Sequence, residues 1–385
     1  MDNFVYDIPT KVFFGRGQLA ALANLVPQYG KKAMLVYGGG SIKRNGIYGN
    51  ICMLLEQAGI SHVDLSGVEP NPCLDTVNRG IAICRREQAD VIVAVGGGSS
   101  IDCAKAVAVG TCYDGDPWDF VVDPCRMKAA LPVIAVVTIA ATGSEMDHIA
   151  VITNNRTQEK IGTRSQVMRP RAAILDPTFT FTVPAYQTAC GTADIMSHVL
   201  ESYFSNTEAF LQDRAAEALL KTCIEFGPRA LTNPENYEAR ANLMWAASWA
   251  INDFLKVGKP VQWSVHPIEH QLSAVYNITH GAGLAILTPH WMEYVLNDRT
   301  VHKFARLAVN VWLVPELSDE YAMAREGIAR LKTFLKELGL QERLSELQID
   351  ETHFREMAIK AAAQMKGSYV PLNAEDIKKI YQASL

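Results

Sequence analysis

The chain has 385 residues, 49% of them hydrophobic and 20% charged, and its 36 Lys and Arg against 41 Asp and Glu leave a formal net charge of −5. That length exceeds the roughly 250–300 residues at which a single core stops growing, so two domains are expected, and the composition excludes disordered, collagen-like and coiled-coil classes. Lys and Arg are scattered with no basic tract, which excludes nucleic acid or an anionic membrane as the main partner.

In chain order, the first nine residues show no basic stretch followed by an apolar one, so no signal peptide is read there. Ala33–Tyr37, Val91–Val95 and Val133–Val137 are continuous apolar runs of strand length, as strands buried on both faces of a parallel sheet require. Ile47–Ala58 and Asp75–Glu87 between them carry helical spacing, and this β-α-β-α order predicts an open, mainly parallel α/β sheet over residues 1–185. The most apolar run, Leu131–Gly143, is shorter than the roughly 18 residues that suggest a membrane span. From about Thr188 the strand signal fades into helical segments such as Glu208–Phe226, Tyr237–Leu255 and Tyr321–Leu338, which predicts an all-helical domain over residues 186–385. The eight cysteines form no C-x-x-C pair and read as reduced core residues of a cytoplasmic protein.

Three polar loops follow the apolar strands. Gly96-Gly97-Gly98-Ser99-Ser100 opens a helix containing Asp102 and Lys105, a setting in which backbone N–H groups can receive a phosphate, although a tight strand-to-helix turn has the same residues. Gly38-Gly39-Gly40-Ser41 and Thr138-Ile-Ala-Ala-Thr142-Gly143 repeat the pattern, and three such strand ends favour an extended nucleotide over coincidence. Residues 38–46 contain no Asp or Glu but hold Ser41, Lys43 and Arg44, a balance that favours NADP over NAD while leaving NAD possible.

Beyond residue 185, Asp194 and His198 stand four apart on one helical face, and His266, His270 and His280 follow. A carboxylate with three imidazoles suits Fe(II) or Zn(II) better than Mg(II) or Ca(II), although an Asp-x-x-x-His pair alone is usually a surface contact. His62, His148, His290, His302 and His353 read as structural.

The spacing Gly191-x-x-Asp194-x-x-x-His198-x-x-Glu201 with His266-x-x-x-His270-x(9)-His280-Gly281, beside Phe13-Phe14-Gly15, Gly96–Lys105 and Thr138–Glu145, resembles the iron-containing (group III) alcohol dehydrogenases. The likeness is closest to their butanol-dehydrogenase-like, NADP-using branch and covers nearly the whole chain. It implies a dinucleotide-binding α/β domain followed by an all-α domain, the architecture shared with dehydroquinate synthase. It implies metal ligation by Asp194, His198, His266 and His280, with His270 nearby as a proton relay or as a group orienting a ligand. By the same resemblance Gly97, Gly98 and Ser99 hold the pyrophosphate, Asp102 lies near the nicotinamide end, Thr138 and Thr142 line the nucleotide site, and Lys160 contacts the cofactor. Ala141 stands where many relatives have glycine, which leaves less room for close backbone approach. The N-terminal strand, residues 4–14, is expected to pair two copies as a homodimer.

The activity implied is reversible reduction of aldehydes to primary alcohols with NADPH, a divalent metal polarising the carbonyl. A glycerol-type polyol dehydrogenase using zinc and NAD is an alternative reading, as is a dehydroquinate-synthase-like lyase. The lyase needs clustered Lys and Arg for an acidic substrate, whereas Trp245, Trp249, Phe254 and Trp263 surround the candidate ligands in sequence.

Overall fold

Six strands, β1 (Lys11–Phe14), β2 (Lys32–Tyr37), β3 (Ser61–Leu65), β4 (Val91–Gly96), β5 (Val133–Val137) and β8 (Ala172–Leu175), form one sheet in the order β1-β8-β5-β4-β2-β3. Every neighbouring pair is parallel, with Leu35 opposite Val93 and Val93 opposite Ile134 across the centre. Alternate residues feed two cores. Met34, Val36, Ile92, Ala94, Ala135 and Val137 pack with helices Leu74–Glu87 and Gly98–Thr111. Leu35, Val91, Val93, Ile134 and Val136 pack with helix Ile47–Gln57 and with Leu19 and Leu22. Burial on both faces explains why these strands read as unbroken apolar runs. Each fully buried Val, Ile or Leu contributes about 1.5–3 kcal/mol, so the central strands fix the register firmly.

The computed structural model describes residues 1–365 and 367–385, and the chain forms two compact units. The sheet unit comprises Asp7–Val183 and Pro234–Ser248. The second segment belongs to helix Tyr237–Ile251, whose Met244 enters the sheet core while Trp245 meets Phe14 edge to face at 5.6 Å. An antiparallel hairpin, β6 (Ile149–Asn154) with β7 (Glu159–Arg164), completes this unit. Its order places the ends of β5, β4 and β2 side by side, and the chain reverses its direction of strand addition between β2 and β4. Open α/β sheets bind ligands at such a reversal, outside the strands' carboxyl ends.

The helical unit comprises Met1–Tyr6, Pro184–Asn233 and Trp249–Leu385. Its principal helices include Ala185–Tyr203, Phe210–Thr232, Val265–Tyr276, His280–Val295, Val301–Trp312 and Glu320–Glu337. Phe204 anchors an aromatic core with Trp291, Phe304 and Tyr369 at centroid separations of 5.5, 4.4 and 5.5 Å. Among the described residues no helix is long and apolar enough to cross a membrane.

Candidate functional site

Helix Ala185–Tyr203 presents Asp194, His198 and Glu201 along one face, all buried. Helix Val265–Tyr276 begins one residue before His266 and ends at Asn277, whose left-handed conformation (φ 51°) turns the chain toward the next helix. That next helix starts at His280 itself. A Cβ on Gly281 would run into the Cys190 carbonyl, so only glycine lets this helix start press backbone to backbone on helix Ala185–Tyr203. Gly283 packs on the Glu269 side chain, which a Cβ there would also meet. These contacts bring four sequence-predicted residues to one point: Asp194 Oδ1 lies 3.5 Å from His198 Nε2 and 3.8 Å from both His266 Nε2 and His280 Nε2.

Those separations match the edges of a coordination shell. Donors about 2.1 Å from a tetrahedral metal stand about 3.4 Å apart. Asp194 Oδ1 and His266 Nε2 are buried without a hydrogen-bond partner among the described residues, and such atoms are expensive unless an ion satisfies them. The outward nitrogens of two of the imidazoles are committed elsewhere. His266 Nδ1–H donates to Glu201 Oε1 at 2.7 Å, and His280 Nδ1–H donates to Glu269. Each carboxylate fixes the tautomer that aims an Nε2 lone pair at the centre. Glu201 also accepts the backbone N–H groups of Ser264 and His266, and Glu269 accepts the Ser273 hydroxyl.

Electrostatics agree with a site built to hold a cation. Burial alone would raise the Asp194 carboxyl, but His198, His266 and His280 hold it well below the usual carboxylate range. Burial pushes the His198 imidazolium down to about 3 against the pull of Asp194. Burial also opposes a charged His266, yet Asp194 and Glu201 outweigh it and lift that group to about 9. His270 is buried, its ring 5.5 Å from that of His280 and 6.2 Å from that of His266. Glu269, which holds His280, has no role in the sequence analysis, and Glu201 stands there only as a motif residue. The available signal was that a ligating imidazole needs an acceptor behind it, and acids three residues from His198 and His266 supply one.

In the sheet unit, the loops after β4 and β5 interlock. A Cβ on Gly97 would strike Ile139, and one on Gly98 would strike Thr142, so these glycines are required by the loop packing itself. Thr138 N–H donates to the Gly96 carbonyl at 3.0 Å. Helix Gly98–Thr111 opens here with its first N–H groups lacking intrahelical acceptors, the arrangement that receives phosphate. The Ser99 hydroxyl donates to the Pro70 carbonyl, so Ser99 offers its backbone. Asp102 is turned inward: Ser144 Oγ donates to it at 2.6 Å and Val151 N–H at 2.9 Å. Buried Lys105 donates to Ser144, Asp147 and the Ile149 carbonyl at 2.9, 2.5 and 2.8 Å, locking the loop after β5 to the hairpin. Lys160 is buried on β7, opposite Thr153.

After β2, Gly38 and Gly40 lead into a short helix, Ser41–Arg44, with Gly40 in the left-handed region (φ 94°). Lys43 Nζ lies 5.2 and 4.5 Å from the ring centroids of Tyr37 and Tyr48, and both phenols donate to Asp64.

Residues 9–177 match the family described as iron-containing alcohol dehydrogenase, and residues 188–385 match the C-terminal family of Fe-containing alcohol dehydrogenases. The chain is 52% identical over 388 residues to NADH-dependent butanol dehydrogenase A of Clostridium acetobutylicum, covering 100% of both chains. It is 36% identical to NADPH-dependent aldehyde reductase YqhD of Escherichia coli, covering 91% of this chain and 90% of that one. The crystal structure of NADH-dependent butanol dehydrogenase A from Thermotoga maritima superposes with a TM-score of 0.96 at 38% identity, covering 100% of this chain and 99% of that one.

Proposed function

The chain belongs to the iron-containing alcohol dehydrogenase family, and from that premise we propose that it interconverts aldehydes and primary alcohols of the butanal and butanol kind with NADP(H), as a cytoplasmic homodimer. The observation that carries this reading is the convergence of three imidazole Nε2 atoms on Asp194 Oδ1 at 3.5–3.8 Å, with the outward nitrogens of two of them held by carboxylates. Asp194, His198, His266 and His280 would hold Fe(II) or Zn(II). When bound, the metal supplies Lewis acidity for the charge that develops on the carbonyl oxygen, and the nicotinamide supplies the hydride.

The chain's own residues do the rest. Glu201 and Glu269 keep two imidazoles in the ligating tautomer. His270, its ring 5.5 Å from that of His280, delivers the proton that completes the alcohol. Gly97, Gly98 and the N–H groups that open helix Gly98–Thr111 bind the pyrophosphate, Thr138 and Thr142 border it, and Asp102 positions the loop after β5 through Ser144. Residues 38–46 hold no carboxylate and expose Lys43, which supports NADPH over NADH, while relatives named for each cofactor support use of both. Exposed Phe4, Val5 and Tyr6 and the edge position of β1 support pairing of two copies.

His266→Ala or His280→Ala is expected to abolish metal retention and turnover together, measured by metal analysis and butanal reduction. A fully active metal-free variant refutes the metal assignment. Comparing butanal with dihydroxyacetone under NADPH and NADH, after loading with Fe(II) or Zn(II), tests substrate and cofactor. Activity with NADH alone refutes the cofactor preference.

A further inference from the structure

The three imidazoles of the metal centre are not held alike. Glu201 stands behind His266 and Glu269 behind His280, each accepting from Nδ1–H. His198 has no such acceptor: its Nδ1 is buried and makes no hydrogen bond among the described residues. What meets its ring is aromatic. His266 stacks on it at 4.7 Å with 17° between planes, and the Trp263 indole lies at 5.2 Å and 33°. The same indole is 4.4 Å from the His266 ring, and Lys256 Nζ is 4.5 Å from the indole centroid.

We propose that Trp263 is the positioning residue for His198, achieving by ring contact what Glu201 and Glu269 achieve by hydrogen bonds, with Lys256 holding the indole through a cation–π contact. The proposal rests on the reading of Asp194, His198, His266 and His280 as a metal centre. A carboxylate behind an imidazole fixes the ring and raises the basicity of the ligating nitrogen. Stacking fixes the plane of the ring and adds no basicity. The aim of His198 therefore depends on ring contact, from His266 stacked on it and from the tilted Trp263 indole, which touches both imidazoles. The indole is itself well placed. Glu201 accepts the N–H of the next residue, Ser264, while Ser205 Oγ donates to the Pro260 carbonyl at 2.6 Å and Lys259 reaches Asp213 at 2.9 Å. One carboxylate thus sets His266 directly and the Trp263 backbone through its neighbour.

The test is a titration of metal-free full-length chain with Zn(II) against a chromophoric chelator, for wild type, Trp263→Leu, Trp263→Phe and Lys256→Met. The melting temperature of each metal-free protein is measured alongside. Loss of an orienting partner weakens metal binding about 10- to 100-fold, and Trp263→Leu should fall in that range. Trp263→Phe keeps an aromatic face and should stay within about threefold of wild type, with Lys256→Met weakened less than Trp263→Leu. Metal-free melting temperatures should not follow this order, and the Co(II) visible absorption of Trp263→Leu should differ from wild type. Wild-type affinity in Trp263→Leu overturns the proposal. So does an affinity loss that tracks the metal-free melting temperature across Trp263→Leu and Trp263→Phe, because that pattern marks plain packing. A wild-type chain that takes no metal overturns the metal-centre reading too, which separates the two failures. Should Trp263→Leu not fold, Lys256→Met decides: unchanged affinity and Co(II) spectrum there overturn the proposal.

Discussion

Glu201 carries three donors on one carboxylate: the backbone N–H groups of Ser264 and His266 and the His266 imidazole. It therefore closes the start of helix Val265–Tyr276 and aims a candidate metal ligand with the same two oxygens. In Glu201→Gln one oxygen survives and an NH2 group faces an N–H donor. Metal affinity is expected to drop about 10- to 100-fold, read by chelator competition, and unchanged affinity would leave Glu201 with the capping role alone. Asp102 makes a different prediction. Burial, with Asp147 nearby, outweighs Lys105 and raises its carboxyl from 3.8 to about 6. Because the folded value is the higher one, the folded chain retains a proton between those values that the unfolded chain has lost. The Asp102 contribution to stability thus falls as pH rises through that window. Asp102→Asn has no such proton, so between pH 4 and pH 7 stability should shift in favour of the variant, by on the order of 2 kcal/mol at about 1.4 kcal/mol per unit. Urea unfolding at both pH values measures the shift, and parallel pH profiles contradict it.

Three helices deliver the four candidate ligands, and their convergence depends on Gly281 meeting the Cys190 carbonyl. The obstacle is backbone on backbone, so neither side can give way without moving a helix. Gly281→Ala should destabilise the chain by about 1–3 kcal/mol, as overpacking does, and weaken metal binding in the same variant because His280 moves with its helix. Denaturant melts and metal titration on one preparation test this, and a stable, metal-tight Gly281→Ala contradicts it. Asp213 shows the same dependence through charge. It is the buried acceptor for both Lys259 and Lys303, and Asp213→Asn is expected to cost about 3–5 kcal/mol by leaving two buried ammonium groups poorly compensated. How far such elements can be read from sequence varies with their surroundings. β2, β4 and β5 were legible because burial on both faces makes them continuous apolar runs. Edge strand β3 carries His62 and Asp64 and was not, and neither was the β6–β7 hairpin. Helix Tyr237–Ile251 was legible as a helix, but its spacing could not reveal that Met244 joins the sheet core. At the site, i,i+4 spacing put Asp194 and His198 on one face. The meeting of His280 with Asp194 depended on one glycine contact and a left-handed Asn277, and Trp263 lies in an irregular segment where periodicity carries no information.

At the scale of the molecule, the four candidate ligands all fall in the helical unit, whereas the three glycine loops all fall in the sheet unit. Each ligand should therefore leave its own pattern of protection. A metal that binds the native chain and not the unfolded one stabilises it by about 2.7 kcal/mol at a concentration 100 times its dissociation constant. Its contacts would link helices Ala185–Tyr203, Val265–Tyr276 and His280–Val295, and local opening of these segments should become rarer when it is bound. Chelation is expected to speed amide hydrogen exchange in those three helices while β4 and β5, central in the parallel sheet, keep their protection. Adding NADPH to the chelated protein should slow exchange at residues 38–46, 96–105 and 138–145 without restoring the three helices. Exchange followed by mass spectrometry on the intact chain resolves these segments. A metal response spread evenly over sheet and helices, or an NADPH response confined to the helical unit, would contradict the assignment of one ligand to each unit.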